Sequence, residues 1–139
     1  MGNINQQPLI MFINTLLEAE RAGVKVLSDL IKEVDDDGLI SMMRGFLADE
    51  GMNCQILSTL VKHLDGEPSR NTGNFVNKIQ ALKTSRKKLE LLAKGQEWVA
   101  KQIRKNRILF IPGSLALFME SIKVQHEENV DALKKLLDT

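Results

Sequence analysis

The sequence predicts an all-helical fold, an antiparallel four-helix bundle with a long crossover between its second and third helices. Three observations support this prediction. The chain has 4% aromatic residues, no tyrosine and 3 prolines, so it is poor in the residues that strands favour. Four long segments repeat apolar residues at the helical period. Each segment also carries a polar residue at the centre of its apolar face. The chain's length of 139 residues fits one domain, residues 1–139.

The first predicted helix runs from about Pro8 to Val34 and places an acid among apolar residues. Proline fits a first helical turn, and three aspartates and a glycine at 35–38 end the segment. At about 100° per residue, Glu20 lies within about 30° of the centre of the apolar stripe. The stripe contains Phe12, Leu16, Ala19, Leu27, Leu30 and Val34. A carboxylate on a core face needs hydrogen bonds, neutralisation or a cation, so Glu20 requires a partner.

The acidic turn after this helix partly matches a calcium-binding loop. Glu33, Asp35 and Asp37 alternate before Gly38, as ligands of such a loop do. Arg44 stands at the twelfth position, where a calcium loop needs a bidentate acid. We therefore interpret the turn as a solvated connection between two helices.

The second predicted helix runs from about Leu39 to Leu64 and places a second acid on a core face. Glu50 lies near the centre of its stripe, with Asn53 and Cys54 on either side. Cys54 fits a small core residue better than a nucleophile, because helical spacing places no histidine beside it. His63 lies outside the stripe, which predicts an exposed histidine. The stripe contains Leu39, Met43, Phe46, Leu57, Leu60, Val61 and Leu64.

A connection of about 20 residues follows, long enough to cross the length of a bundle. Residues 65–74 are rich in turn formers, and residues 75–82 form a short amphipathic segment. The basic run from Lys83 to Lys88 is interpreted as a solvated face, with an anion or an acidic partner as the alternative. A single bent helix over 75–107 is disfavoured, because its apolar stripe would drift across Arg86.

The third and fourth predicted helices carry neutral or basic polar residues at their centres. The third runs from about Ser85 to Arg107, with Gln96 at its centre and Glu97 about 100° away, and which of the two faces inward is left open. Residues 108–112 form an apolar connection, which we expect to pack across one end of the bundle, and the fourth helix begins between Pro112 and Ser114. His126 and Asn129 lie within about 40° of its centre. The apolar residues of both faces are Leu89, Leu92, Val99, Ala100, Ile103, Leu115, Phe118, Met119, Ile122, Leu133, Leu136 and Leu137.

The central polar residues repeat along the chain with a fixed spacing. The interval from Glu20 to Glu50 equals the interval from Gln96 to His126. An asparagine stands at the third position after Glu50 and again at the third position after His126. A single shift along the chain, the one that carries Glu20 onto Gln96, superposes the first two helices on the last two without a gap. We call this shift the repeat offset. It predicts two equivalent helical hairpins.

This arrangement resembles the ferritin-like superfamily, in which two helical hairpins joined by a long crossover hold a di-metal site. The local segments LLEAERAG, ADEGMNC, KGQEWV and VQHEENV are most similar to small bacterial ferritin-like domains of unassigned function. The superfamily pattern is a glutamate on each of two helices and Glu-x-x-His on each of the other two. The resemblance implies that Glu20 is the ligand of the first helix and that Glu50 is the acid of the first Glu-x-x-His.

Four positions depart from the superfamily pattern. Asn53 replaces the first histidine, and Gln96 replaces the glutamate of the third helix. His126 replaces the second motif's acid, and Asn129 replaces its histidine. Two iron ions bring at least about four positive charges, and two carboxylates offset much less of that charge than four acids do. The resemblance therefore implies a degenerate di-metal site that is not a functional di-iron oxidase.

Two functions remain open from the sequence. In the first, the polar centre is a metal-free network and the domain has a scaffold or interaction role. In the second, the chain is a metal-binding or redox protein that holds a single transition metal, iron, manganese or zinc. The candidate ligands are Glu20, Glu50 and His126, and the surrounding positions are Asn53, Gln96, Asn129 and Cys54. Helical spacing gives no support to a hydrolase that uses Cys54 or a serine with His126.

Charge and hydropathy constrain the partners. The 19 basic and 18 acidic residues nearly balance, which argues against nucleic-acid binding. No apolar stretch is long enough for a membrane span, and the N-terminus does not resemble a secretion signal. The lone Cys54 cannot form an intramolecular disulfide, so we expect a reducing cytoplasm. A homodimer is predicted because Ile10, Leu17 and Val24 lie at the edges of the first stripe.

Overall fold

The computed structural model describes residues 6–110 and 113–138, and all regular structure within these ranges is helical. The all-helical prediction is confirmed. In chain order, the helices are α1 (Gln7–Glu33), α2 (Asp37–His63), α3 (Phe75–Gln80), α4 (Ser85–Lys105), a 3₁₀ turn (Arg107–Leu109) and α5 (Leu115–Leu137). Each predicted helix has an observed counterpart. Pro112, one predicted start of the last helix, lies outside the described ranges.

The chain divides into two compact units, one extending to Lys88 and the other beginning at Leu89. The first unit contains α1, α2, α3 and the first turn of α4. The second unit contains the remainder of α4, the 3₁₀ turn and α5. The domain prediction of one domain over residues 1–139 stays a prediction.

In the first unit, α1 and α2 form an antiparallel hairpin. Residues 34–36 join the two helices, and the Asp36 carboxylate accepts a hydrogen bond of 2.7 Å from the backbone N–H of Leu39. This bond caps the N-terminus of α2, where three further N–H groups also lack helical partners. The twelve-residue calcium loop considered above cannot form, because residues 37–44 belong to α2.

The segment after α2 is anchored on α1. Asp65 adopts a left-handed backbone conformation with φ of 62°, and the Gly66 N–H returns to the Val61 carbonyl at 2.9 Å, which closes the end of the helix. Asn14 of α1 then bonds the segment twice. Its side-chain amide donates to the Glu67 carbonyl at 3.0 Å, and its side-chain oxygen accepts from the Ser69 N–H at 2.8 Å.

The basic run is used partly within the first unit. The Lys88 ammonium lies 2.9 Å from a Glu33 carboxylate oxygen, and the Lys88 side chain is mostly buried. This ion pair joins the first turn of α4 to the last turn of α1. Lys83 and Lys87 are exposed, in agreement with a solvated face, and the anion alternative stays a prediction.

In the second unit, α4 and α5 are also antiparallel. Arg104 pairs with Glu127 at 2.7 Å, and Arg107 pairs with Glu120 at 2.9 Å. The second pair is nested within the first along the chain, which is the register of an antiparallel hairpin. Both pairs are well exposed, so each adds at most about 1 kcal/mol to stability.

Two packing expectations need correction. The apolar connection was expected to be packed, but Ile108 is 88% exposed while Phe110 is buried. Residues 111–112 of this connection lie outside the described ranges. The proposed dimer edge also changes, because Ile10 and Leu17 are buried within the single chain and only Val24 is half-buried. These two residues therefore cannot supply a dimer surface, and the homodimer itself stays a prediction. His63 is exposed, as expected.

No helix in the described part of the chain combines the length and the apolar character that crossing a membrane requires.

Candidate functional site

Within the described ranges, the buried polar and charged side chains coincide with the central residues of the sequence repeat. They are Glu20, Glu50, Asn53, Gln96, His126 and Asn129. The two glutamates are each 1% exposed, and His126 is 0% exposed. The question left open at residues 96 and 97 is answered, since Gln96 is buried and Glu97 is exposed. Burying ionisable groups is costly, so these positions require an explanation beyond packing.

In the first unit, Glu20 is held by a hydrogen bond from the facing helix. The Asn53 side-chain amide of α2 donates to Glu20 Oε1 of α1 at 2.7 Å. A bond between a neutral donor and a carboxylate is stronger than one between two neutral groups, because the acceptor is charged. Asn53 therefore provides one of the hydrogen bonds that a buried carboxylate requires. Here it orients and partly compensates the Glu20 carboxylate.

Glu50 of α2 faces the backbone of α1 at Gly23. A Cβ atom built on Gly23 would overlap Glu50 Oε1 and would lie 3.0 Å from Glu50 Cδ. The carboxyl group therefore occupies space that a side chain at position 23 would need. The pairs Gly23–Glu50 and Glu20–Asn53 are nested along the chain, in agreement with the antiparallel hairpin. Sequence reasoning did not identify Gly23, because a glycine contributes nothing to an apolar or polar stripe.

The second unit repeats the hydrogen bond of the first. The Asn129 side-chain amide of α5 donates to Gln96 Oε1 of α4 at 3.0 Å. The two residues are 33 positions apart, as are Glu20 and Asn53. The repeat offset therefore relates equivalent contacts as well as equivalent residue types. The difference is in charge, because the acceptor is a carboxylate in the first unit and a neutral amide in the second.

His126 has one ring nitrogen committed to the backbone of its own helix. Its Nδ1 lies 2.8 Å from the Ile122 carbonyl oxygen. A carbonyl oxygen accepts hydrogen bonds and cannot donate them, so Nδ1 carries the proton. In the neutral ring the lone pair is then on Nε2. A bond from the second ring N–H to a backbone carbonyl is usual for histidines that bind metals.

Cys54 lies close enough to the first unit's acids to respond to their charge. Burial is the main cause that raises the pKa of the Cys54 thiol to about 11, and the charge of Glu20 adds to it. Arg21 opposes this effect and Glu50 reinforces it. A thiol with so high a pKa is a poor nucleophile and a poor metal ligand near neutral pH. Cys54 was predicted to be a small core residue, but it is half-buried rather than fully buried.

Arg21 also lies near Cys54 and the acids of the first unit, but helical periodicity did not identify it. Its Nε atom is buried and makes no hydrogen bond to any residue that the structure describes. Arg21 could have been identified from its position next to Glu20 in the chain, because a cation close to a buried acid lowers the cost of burying that acid.

One of the comparisons with known proteins identifies a family. Neither the curated proteins nor the solved structures contain a match to this chain. A family model described as a domain of unknown function, DUF6306, matches residues 7–135. The match covers nearly the whole chain, and the protein therefore belongs to the DUF6306 family.

Proposed function

We propose that this protein is a ferritin-like four-helix bundle that binds one divalent transition metal ion through Glu20, Glu50 and His126. Each of these side chains is buried and offers one ligand atom of a kind that metals bind. Iron, manganese and zinc all accept a set of two carboxylates and one imidazole. The observation that carries the proposal is the burial of two carboxylates, each 1% exposed, in one hairpin.

The charges fit one metal ion and do not fit two. Two carboxylates balance one divalent cation, whereas a pair of iron ions carries at least about four positive charges. In the full superfamily pattern four acids and two histidines share that charge. Here Gln96, Asn53 and Asn129 are neutral amides at three of those positions. The set is thus unsuited to di-iron oxygen chemistry.

The hydrogen bonds around the proposed ligands also support the binding of one metal ion. Asn53 fixes one oxygen of Glu20, and the Ile122 carbonyl fixes Nδ1 of His126. Such outer contacts orient ligands before a metal arrives and select the nitrogen that can coordinate it. A protein with these contacts loses less conformational entropy when a metal binds.

A metal-free polar centre is the second candidate, with the domain as a scaffold or interaction protein. It is supported by the bonds from Asn53 to Glu20 and from Asn129 to Gln96. Each bond satisfies a buried polar group with another side chain. In this case a positively charged His126 would supply part of the charge that compensates the acids.

Metal analysis separates the two candidates. The protein is purified without chelator, its metal content is measured, and the apo form is titrated with Zn²⁺, Mn²⁺ and, without oxygen, Fe²⁺. We expect about one ion per chain and a loss of at least about tenfold in affinity for Glu20→Gln, Glu50→Gln and His126→Ala. Binding of none of the three ions would contradict the proposal and favour the metal-free candidate.

Two matched variants control for indirect effects on the titration. His63→Ala removes an exposed histidine, and Glu97→Gln removes an exposed acid next to Gln96, so both should bind metal as the wild type does. Gln96→Glu retains an acceptor for Asn129 and adds a carboxylate. It should raise the metal affinity, because a neutral amide is replaced by an anionic ligand.

A further inference from the structure

Gly23 lies in the interior of α1 although glycine is unfavourable there. It is buried, and α1 continues for almost three turns beyond it, to Glu33. Glycine in a helix interior is less favourable than alanine. The backbone does not require it, because Gly23 is not among the described residues with positive φ. The remaining physical reason is space.

That space is filled by the Glu50 carboxyl group. A Cβ at Gly23 would overlap Glu50 Oε1 and approach Oε2 to 3.7 Å. Two glycines in the interior of α2 provide a contrast, because a Cβ at Gly45 or Gly51 would meet nothing within 4 Å. The missing side chain at position 23 therefore has a specific counterpart on the facing helix.

The second hairpin shows what replaces this pair when no acid is present. The repeat offset aligns Gly23 with Val99 and Glu50 with His126. Val99 is buried and His126 is completely buried. A branched side chain is thus accommodated at the position equivalent to Gly23, where the partner position holds an imidazole instead of a carboxylate. The glycine is therefore required by the acid on the facing helix and not by the hairpin structure itself.

We propose that Gly23 is a positioning residue that leaves the space in which the Glu50 carboxylate is held against α1. The effect on metal binding rests on the function proposed above, whereas the steric dependence of Glu50 on Gly23 does not. The clash involves the far end of a flexible side chain, so a methyl group at position 23 should displace the carboxylate and leave the helices intact.

The first test compares Gly23→Ala with Gly51→Ala in Zn²⁺ titrations. Both variants gain the same helix propensity, and circular dichroism confirms that both are folded. We expect Gly23→Ala to weaken binding at least tenfold and Gly51→Ala to stay within twofold of the wild type. Glu50→Asp shortens the acid by one methylene and should restore part of the affinity in the Gly23→Ala background. Unchanged affinity in Gly23→Ala would overturn the inference.

The second test uses the metal-free protein and so separates this inference from the proposed function. Gly23→Ala should lower the melting temperature in the wild-type background and raise it by about 3 °C in the Glu50→Ala background, where the methyl group has room. Gly51→Ala should raise it in both backgrounds. Suppose that no metal binds, but that Gly23→Ala lowers the melting temperature in the wild-type background and raises it in the Glu50→Ala background. The proposed function then fails and the role of Gly23 stands. An equal effect of Gly23→Ala in both backgrounds would overturn that role.

Discussion

Asn53 and Asn129 occupy equivalent positions, but the groups that they bond differ in charge. Asn53 donates to a carboxylate oxygen of Glu20 at 2.7 Å, and Asn129 donates to the amide oxygen of Gln96 at 3.0 Å. Both asparagines are nearly completely buried. The comparison therefore isolates the energetic effect of the acceptor's charge, since burial and sequence separation are matched.

Replacing each asparagine by alanine should destabilise the protein unequally. Asn53→Ala leaves a buried carboxylate without this donor and should cost about 2–3 kcal/mol of unfolding free energy, whereas Asn129→Ala should cost about 1 kcal/mol. Urea denaturation of the metal-free protein at pH 7 measures both values. Equal costs, or a larger cost for Asn129→Ala, would show that Glu20 does not depend on Asn53.

The Cys54 thiol provides a pH-dependent test of the acids beside it. Burial, followed by the charge of Glu20, raises its pKa from 9.0 to about 11. The folded state thus favours the neutral thiol, so this stabilisation is complete below about pH 9 and is lost as the pH rises through about 11. Alkylation by iodoacetamide at pH 8 should be much slower in the native protein than in urea. The native rate should rise with pH up to about 11.

A control with Glu20→Gln separates the two causes of the Cys54 shift. Removing the Glu20 charge should lower the thiol pKa and speed alkylation of the native protein, while burial stays the same. Native and unfolded protein reacting equally fast at pH 8 would contradict the half-buried environment of Cys54.

Helical periodicity predicts which polar residues are buried but does not predict contacts between helices. A spacing of about 100° per residue placed five polar residues on core faces and left Gln96 and Glu97 as alternatives for a sixth. All five are buried, and so is Gln96. Gly23 could not be found in this way, because its role depends on a contact with another helix. Ile10 and Leu17 were wrongly assigned to a dimer edge, since the width of the buried stripe depends on what packs against it.

The acidic turn between α1 and α2 has a local structural role that its sequence left undecided. Asp35, Asp36 and Asp37 are all exposed, and Asp36, whose backbone is extended, accepts a hydrogen bond from the Leu39 N–H. The three aspartates in succession predicted a turn, but the capping residue is set by backbone angles that composition does not specify. The cap gives Asp36 a structural role that does not require calcium.

Asp36→Ala should lower stability by about 1 kcal/mol through loss of this cap, and Asp35→Ala should change it by less than about 0.5 kcal/mol. Thermal unfolding of the two variants in the presence of chelator measures the difference directly. A loss of the same size in both variants would indicate that the general acidity of the turn matters rather than the cap.

The predicted ends of the other helices also differ from the observed ends by a few residues. The third predicted helix extended to Arg107, but α4 ends at Lys105 and a 3₁₀ turn covers Arg107–Leu109. In this turn the side chain of Ile108 is almost fully exposed and that of Phe110, just after it, is buried. An apolar run predicts burial of the run as a whole, but a tight turn directs neighbouring side chains to opposite sides.

The internal repeat is the feature that links the sequence of the whole chain to its structure. Each half of the repeat forms an antiparallel hairpin, and each hairpin has a hydrogen bond between side chains 33 positions apart, at equivalent places in the two halves. The repeat could be predicted because two helices shared one offset. The chemical asymmetry was also visible in the sequence, with two acids in the first half and an imidazole and two amides in the second.

Anomalous scattering from a crystal grown with Zn²⁺ tests the central proposal most directly. We predict one anomalous peak bonded to one carboxylate oxygen of Glu20, one of Glu50 and Nε2 of His126, at zinc–ligand distances of about 2.0–2.2 Å. Nδ1 of His126 should keep its bond to the Ile122 carbonyl. The absence of a peak at these three side chains, with zinc found at surface residues alone, would contradict the proposed metal site.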